Sequence, residues 1–370
     1  IIESHNFLSR LEAQTCRQHG LPLIYEEILN FAGDEIYFKN IDNLYDKPFS
    51  ETINYFNKST LIGFYRNDNV FLNPNPNTIM LKDDEIIGIS EDNSTFKLDN
   101  PNPKILLKKY SFFKAKKANE EKFLFLGKNN FTDNVLSLLG KYTPKGSICD
   151  NFFEGNEKNY SKKFTNLKVN YKCVEILDRK TLESFDFKIY DFVVVQSTYN
   201  VNEEFDEDLV DDKSITIILN LRDIKSLNNF SFKIVSELFD SNNHDLIQNS
   251  QIDDFILSEK FISSTIAQVS ENKKLSKVFK EIFRPKGSEI YIKSAENYVK
   301  LKKEVDFFEI NSSAQANNEI AVGYKLKRFS EQPTTIFNGK ELMYGIIINP
   351  IKSKLITFEE GDQLIVLSND

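Results

Sequence analysis

The sequence predicts an α/β fold with a Rossmann-type parallel-sheet lobe and small β-rich C-terminal lobes. We expect these lobes to form a tandem repeat whose first Rossmann-type lobe is missing. Three observations predict this class. The 370 residues are too many for one ordinary core. Strand and helix patterns alternate over residues 121–250, and a β-rich pattern outside that range occurs twice. Two or three domains are therefore expected.

Composition narrows the function classes before any motif is considered. An apolar content of 40% with 13% aromatic residues excludes a disordered chain. A net charge of −8 argues against a general nucleic-acid binder. The three cysteines lack C-x-x-C spacing, which favours a reduced cytosolic protein. No apolar run approaches the roughly 20 residues of a bilayer span. Because the chain starts without Met or a signal-peptide layout, we expect a cut within a longer protein.

The repeat has a long period. Residues 33–39 return as residues 287–293, an offset of 254 positions, and the same offset relates residues 24–29 to residues 278–283. Further matches follow in the same order with a drifting offset: residues 62–65 with 322–325, Asn73-Pro74 with Asn349-Pro350, and residues 81–90 with 358–368. Collinear matches of this kind indicate a duplicated unit.

Each copy of the unit reads as a helix followed by a β-rich lobe. Leu23, Ile24 and Ile28 have helical spacing, and Gly33 stands where a helix-terminating glycine belongs. Turns rich in Asn, Pro and Asp then separate strand-like runs, the last of which covers residues 85–90. Such a lobe has a small core, so we expect it to pack against a neighbouring lobe.

The sequence pattern of residues 121–250 predicts the Rossmann-type lobe. A helix is expected at residues 133–139. Five short, almost continuous apolar strands are expected at residues 123–126, from 146, at 169–176, at 191–196 and at 214–219. Strands that are apolar on both faces and separated by helical segments are typical of a doubly wound parallel sheet.

These patterns divide the chain into four segments. Residues 1–92 would hold the crossover helix and C-terminal lobe of the first repeat, and residues 93–120 a linker. Residues 121–250 would hold the Rossmann-type lobe of the second repeat, and residues 251–370 its crossover helix and C-terminal lobe. The crossover helices are expected near residues 4–18 and 253–271. The offset places the first Rossmann-type lobe before residue 1.

The turn after the first strand of this lobe is a weak nucleotide candidate. The dinucleotide fingerprint needs three glycines, and residues 127–132 supply only Gly127. Asp150 stands where an acid that binds a ribose could lie, although it also fits a solvated turn residue. We expect no NAD binding in this lobe.

The densest acidic run, residues 203–212, is the candidate metal site. The proposed Ca²⁺ ligands are Asp206, Asp208, Asp211 and Asp212, since Ca²⁺ prefers carboxylate oxygens. The run lacks the alternation and central glycine of an EF-hand, so a solvated helix is the alternative interpretation. No Ser–His–Asp, Cys–His or Walker layout is present, and we expect no catalysis.

Two levels of resemblance follow from these features. Sheet and β-rich lobes in tandem resemble the RCK (regulator of K⁺ conductance) domains of channel gating rings. Residues 15–29 and 33–37 resemble the Castor/Pollux/SYM8 ion-channel family, in which a Cys-Ala-Arg-Gln-Pro-Gly-Leu stretch precedes a helix and a Phe-Tyr-Ile strand. Further similar segments are residues 216–224, 236–240, 252–258, 289–292 and 320–324. The sequence departs from the family where His19 replaces a proline and where Lys128-Asn129 replaces Trp-Arg.

The resemblance implies a tetrameric cation channel with its transmembrane pore domain N-terminal to this chain. This chain would then be a ligand-sensing gating ring on the cytosolic face of the membrane, with Ca²⁺ as a ligand and with no nucleic-acid partner. The abundance of Lys, Asn, Ile and Phe points to a microbial relative. Two alternatives remain open at this point: a cytosolic nucleotide-binding oxidoreductase or nucleotide sensor on a Rossmann fold, and a regulatory subunit of a separate transporter.

Overall fold

The structure, a computed structural model, describes residues 4–31, 33–100, 119–198, 207–240, 254–284 and 287–369. Most of the predicted linker, residues 101–118, lies outside them. The helices are α1 (Ser4–Thr15), α2 (Leu21–Leu29), α3 (Phe49–Thr52), α4 (Thr132–Tyr142), α5 (Arg179–Glu183), α6 (Glu207–Asn228), α7 (Ser258–Glu271), α8 (Leu275–Ile282) and α9 (Phe307–Ala316).

The strands are β1 (Glu35–Lys39), β2 (Thr60–Arg66), β3 (Asn69–Leu72), β4 (Glu85–Ser90), β5 (Lys122–Leu126), β6 (Ser147–Phe153), β7 (Tyr160–Phe164), β8 (Leu167–Cys173), β9 (Phe192–Val195), β10 (Lys233–Leu238), β11 (Asp254–Leu257), β12 (Ser288–Ser294), β13 (Glu304–Asp306), β14 (Glu319–Lys325), β15 (Thr334–Phe337), β16 (Lys340–Met343), β17 (Ile346–Ile348), β18 (Leu355–Thr357) and β19 (Gln363–Asn369). The chain forms two compact units. The first contains residues 1–22 and 116–267, and the second contains residues 23–115 and 268–370.

The first unit is built on a seven-stranded sheet with the order β11-β10-β9-β5-β6-β8-β7. All neighbouring strands run parallel except the antiparallel hairpin of β7 and β8 at one edge. From β5 the chain first builds the sheet on the β6 side and then returns to build it on the β9 side. The predicted doubly wound parallel sheet is confirmed.

Strand β5 shows why both faces of this sheet are covered. Phe123 and Phe125 join a core with Val135 of α4, whereas Leu124 and Leu126 join a second core with apolar side chains of α6. All four strand side chains are fully buried. A parallel strand between two helical layers needs such a continuous apolar run.

One predicted strand in this unit is wrong, and one predicted helix begins later than expected. Residues 214–219 were expected to be a strand but lie within α6. Ile217, Ile218, Leu221 and Ile224 are buried on one face of that helix, a spacing of three and four residues. The second crossover helix, expected near residues 253–271, is present as α7, but it begins at Ser258 because residues 254–257 form β11. Periodicity cannot separate such a short apolar run from helix.

The second unit contains both copies of the β-rich lobe. One sheet has the order β1-β4-β2-β3, and the other has the order β12-β19-β14-β17 extended by β16 and β15. The first four strands of each sheet correspond one to one in chain order and position. The duplication that the sequence predicts is therefore present in the topology.

Matching glycines reinforce this correspondence. The pairing register of β2 with β4 shifts between Leu61 and Gly63, and that of β14 with β19 shifts between Ala321 and Gly323. A Cβ atom at Gly63 would lie 2.1 Å from the carbonyl oxygen of Phe71, and one at Gly323 would lie 2.2 Å from that of Ile347. Each bulge therefore needs a residue without a side chain, because the next strand approaches too closely.

The two matching asparagines also occupy equivalent turns. Asn73 and Asn349 have φ values of 41° and 46°, a left-handed conformation that Asn tolerates. Their backbone N–H groups donate to Ile62 and Val322, respectively, at 2.9 and 2.8 Å. Asn349 is fully buried, and its Nδ2 donates to Oδ1 of Asp34 at 2.7 Å, so it ties the second lobe to the first within this unit.

Candidate functional site

The carboxyl ends of the central strands in the first unit form the candidate site. In open α/β sheets, ligands bind outside these ends, at the point where the strand order reverses. Here that point lies between β5 and β9. Gly127 and Gln196 are the residues that directly follow these two strands.

Gly127 is required by the close approach of these strands. Its φ is +111°, and a Cβ atom there would lie 2.1 Å from the backbone oxygen of Gln196. Its N–H donates to the carbonyl of Phe152 at 2.8 Å. The glycine that the sequence singled out for nucleotide binding thus has a structural role at the strand ends.

Polar side chains close the turn that follows Gly127. Asn129, which is 8% exposed, donates from Nδ2 to the Ser197 carbonyl at 2.9 Å and accepts from the Phe131 N–H at 2.8 Å. The hydroxyl of Thr132 accepts from the Asn129 N–H at 2.8 Å and donates to Oε1 of Gln196 at 2.5 Å. The N–H groups of Gly127, Asn129 and Phe131, which a phosphate in a glycine-rich turn would need, donate to the chain itself.

We expect Asn129→Ala to lower the free energy of unfolding by about 2 kcal/mol, because it removes two buried hydrogen bonds. Urea unfolding measures the change. Asn130→Ala is the matched control, since Asn130 is the exposed neighbour in the same turn. Equal effects of the two substitutions would contradict the closed-turn interpretation.

Asp150 lies within β6 rather than at its carboxyl end. Its carboxylate accepts from Asn170 Nδ2 at 2.8 Å and from the Tyr190 hydroxyl at 2.6 Å. Burial and this carboxylate together raise the pKa of Tyr190 well above its ordinary value. Asp150 therefore links β6 to β8 and to the segment before β9.

The acidic run falls at the start of α6. Asp206 lies outside the described residues. Asp208 and Asp212 are exposed, whereas Asp211 is fully buried and accepts from the N–H groups of Phe239 and Asp240, each at 2.9 Å. Among the residues that the structure describes, no group of three or more acidic, His or Cys side chains is placed to hold a metal ion. The Ca²⁺ assignment stays a prediction.

A buried carboxyl pair that sequence reasoning missed stands next to the closed turn. Glu12 of α1 is 5% exposed, and both its carboxylate oxygens accept from Gln196 Nε2, at 3.1 and 3.4 Å. Glu237 of β10 is 9% exposed, and its Oε1 accepts from the Ser258 hydroxyl at 3.0 Å. Within the described part of the chain, Oε2 of Glu237 is buried without a hydrogen-bond partner.

Burial, together with repulsion from neighbouring carboxylates, favours the protonated forms of these two carboxyl groups. Desolvation, followed by the charge of Glu237, raises the pKa of Glu12 well above its ordinary value. Desolvation also raises the pKa of Glu237 to about 7, with a further contribution from Asp211. Carboxyl groups whose pKa values are shifted by burial and by neighbouring charges cluster at functional sites.

The turn after α1 is fixed to the same sheet. Asp254 is 4% exposed and accepts from the Gly20 N–H at 2.8 Å and from His19 Nδ1 at 2.9 Å. Arg17 and Glu121 form a second link, with a 2.9 Å Nε–Oε2 distance. His19, at the position where the family resemblance has proline, thus anchors the turn that leads from α1 to α2.

The sequence carried one weak signal of the carboxyl pair. Glu237 is an acid inside a strand whose neighbours Val235 and Leu238 are buried. Glu12 gives no such signal, because an acid in a helix ordinarily faces solvent. Its hydrogen bond to Gln196 spans 184 residues of sequence, so only the fold brings the two together.

Comparison with known proteins finds similarity to ion-channel sequences. A family model described as Castor and Pollux, part of voltage-gated ion channel, matches residues 5–106. Ion channel DMI1 of Medicago truncatula is 26% identical over 381 residues, which cover 92% of this chain and 42% of that protein. Probable ion channel POLLUX of Arabidopsis thaliana is 26% identical over 409 residues, which cover 100% of this chain and 48% of that protein.

The resemblance to the Castor and Pollux family is confirmed. The chain spans less than half the length of these two curated relatives. The human SLO3 gating ring has a similar fold, with a TM-score of 0.66 over 99% of this chain and 75% of that one, at 14% identity. The predicted α/β fold of gating-ring type is therefore confirmed. No helix within the described ranges is long and apolar enough to cross a bilayer.

Proposed function

We propose that this Castor and Pollux relative is the cytosolic, ligand-sensing gating-ring part of a tetrameric cation channel. The observation that carries the proposal is the pair of β-rich lobes with one strand order, joined in one unit and accompanied by a doubly wound sheet. That combination matches the fold of the SLO3 gating ring along nearly the whole chain. The curated relatives named as ion channels support the same function.

The mechanism would be a shift between two populations of the ring. A ligand that binds the open form more tightly than the closed form favours opening, and the gain is limited by that difference in affinity. The pore domain would precede this chain, and the chain itself would carry out no catalysis. The four segments predicted from the sequence would be the structural domains and the linker of one ring subunit.

Ca²⁺ is the ligand we propose, and the exposed carboxylates of α6 are its candidate ligands. Titration calorimetry of the whole chain with Ca²⁺, Mg²⁺, NAD(H) and ATP tests this function against a nucleotide sensor. We expect Ca²⁺ to release heat and to raise thermal stability, since a ligand that binds only the folded state stabilises it. We expect no heat from the nucleotides. Saturable NAD(H) or ATP binding with no response to Ca²⁺ would overturn the proposal.

Two variants test whether Ca²⁺ binds at the acidic run, separately from whether the chain senses Ca²⁺ at all. Asp208→Asn/Asp212→Asn removes two exposed carboxylates, and Asp223→Asn is the matched control on the same helix, where Asp223 pairs with Arg179 at 3.2 Å. Loss of Ca²⁺ heat in the double variant alone would assign the site to the acidic run. Unchanged Ca²⁺ heat in all variants would reject that site and leave the sensing function standing.

A further inference from the structure

An open cavity of about 490 Å³ lies against the edge hairpin of the first unit, at the amino end of the parallel strands. Strands β7 and β8, the start of β6 and the loop before it supply the walls. The polar lining includes Lys145, Ser147, Lys163, Thr165, Asn166 and Lys168. The volume lies in the range of small-molecule sites, which is about 300–1,000 Å³.

Two of these lysines face each other across the hairpin. Lys163 of β7 and Lys168 of β8 are directly opposite in the antiparallel register, so their side chains leave the same face of the sheet. Like charges in this position are destabilising, because the cross-strand Cβ atoms are only about 5 Å apart. Lys145 adds a third charge to the same cavity.

These three ammonium groups lack carboxylate partners among the contacts of the described residues. All three lysines are exposed, and none of them takes part in an ion pair with another residue that the structure describes. The fourth lysine of the lining, Lys162, is already neutralised by Asp133 at 2.6 Å. One carboxylate lies nearby, since a Cβ atom at Gly146 in the cavity wall would lie 2.3 Å from Oε1 of Glu120. The described residues that line the cavity therefore carry an excess of positive charge in a chain whose net charge is −8.

We propose that this cavity binds an anion with two or more phosphate groups. A phosphate oxygen between Lys163 and Lys168 would replace their repulsion with two charge-assisted hydrogen bonds, and Lys145 would hold a second phosphate. The exposed hydroxyl of Thr165 would add a neutral donor. A soluble inositol polyphosphate and the headgroup of a phosphoinositide lipid share this chemistry. The inference is independent of Ca²⁺ sensing, because it uses none of the proposed Ca²⁺ ligands.

Lysines also occur on edge strands simply to discourage pairing with other chains. That role needs charge on the outer edge strand β7, but it needs neither a facing lysine on the inner strand β8 nor a cavity beside the two strands. The two roles differ in how anion binding depends on Lys168, which is the basis of the test.

The test measures binding of inositol hexakisphosphate by calorimetry, and binding of phosphatidylcholine vesicles with and without phosphatidylinositol bisphosphate by co-sedimentation. The whole chain is compared with Lys163→Gln/Lys168→Gln. The matched control is Lys172→Gln, because Lys172 is an exposed residue of β8 outside the cavity lining. We expect the double variant to lose roughly tenfold or more in affinity, and the control to lose much less.

Thermal unfolding supplies a second readout that does not depend on the proposed channel function. Without ligand, the double variant should be at least as stable as the wild type, since it relieves the Lys163–Lys168 repulsion, and only the wild type should be strongly stabilised by the phosphate probe. Binding of the soluble probe, of the lipid, or of both supports the proposal and identifies the source. Binding of neither, or equal loss in the double variant and Lys172→Gln, overturns it.

Discussion

Asn349→Ala should lower the free energy of unfolding of the second unit by about 3–5 kcal/mol. Asn349 donates to Asp34 at 2.7 Å and to the Lys58 carbonyl at 2.9 Å. Its Oδ1 accepts from Thr60 at 2.9 Å and from Lys352 at 2.8 Å. Alanine removes all four bonds and leaves a buried carboxylate and a buried amine each short of a partner.

The duplicated unit offers a matched control at Asn73. Both asparagines have a left-handed backbone, so alanine pays the same conformational cost at either position. Among the described residues, the Asn73 side chain makes one hydrogen bond to the second lobe, from Nδ2 to the Asn318 carbonyl at 2.8 Å. Asn73→Ala should therefore cost about 1–2 kcal/mol.

Urea unfolding measures the loss of unfolding free energy in each variant, and hydrogen exchange of residues 287–369 assigns that loss to the second unit. An Asn349→Ala effect no larger than that of Asn73→Ala would show that the Asp34–Asn349–Lys352 contacts do not hold the two lobes together. Asp34→Asn is an independent check, because it also breaks the ion pair with Lys340 at 2.6 Å.

The stability of the first unit should fall by about 3 kcal/mol as pH rises from about 4.5 to about 7. The pKa of the Glu237 carboxyl is raised from 4.5 to about 7, so the folded state holds this proton to higher pH than the unfolded state does. The folded state then binds more protons throughout that window, and stability is lost as pH rises through it. The raised pKa of Glu12 acts in the same direction.

Glu237→Gln should remove the part of this slope that comes from Glu237 and should make the protein more stable than the wild type at pH 8. Glutamine keeps an acceptor for Ser258 but carries no charge to desolvate. The control is Glu175→Gln, an exposed carboxyl in the same unit, which should leave the slope unchanged. Thermal unfolding from pH 5 to pH 8 supplies the measurement. An identical slope in Glu237→Gln and in the wild type would contradict a buried, protonated carboxyl pair.

Local patterns were enough for most of the fold. The strand at residues 123–126 is apolar on both faces and can only be buried between two layers, as β5 is. The repeat predicted two lobes of one topology, and β1-β4-β2-β3 and β12-β19-β14-β17 have that topology. The strand prediction at residues 214–219 was wrong because Ile215 and Ile217 alternate with Thr216 as they would in a strand. Over the full length of α6, however, the apolar residues follow a helical period, and the segment is helical.

The site could not be predicted from local patterns. Gly127 was correctly placed at a strand end, but its role depends on the oxygen of Gln196, about 70 residues away. Glu12 and Glu237 acquire their raised pKa values only when α1 packs on the sheet. Asn349 and Asp34 are 315 residues apart, so their contact follows from tertiary structure alone.

Light scattering of the whole chain across a range of concentrations, with and without Ca²⁺, tests the gating-ring account most directly. A ring subunit must associate with its own copies, and the account predicts a mass that approaches four chains and depends on ligand. The Glu237→Gln and Asn349→Ala variants serve as controls, because they change buried residues and so alter stability without altering the exposed surface. A mass of one chain at every concentration, with or without Ca²⁺, would contradict the account.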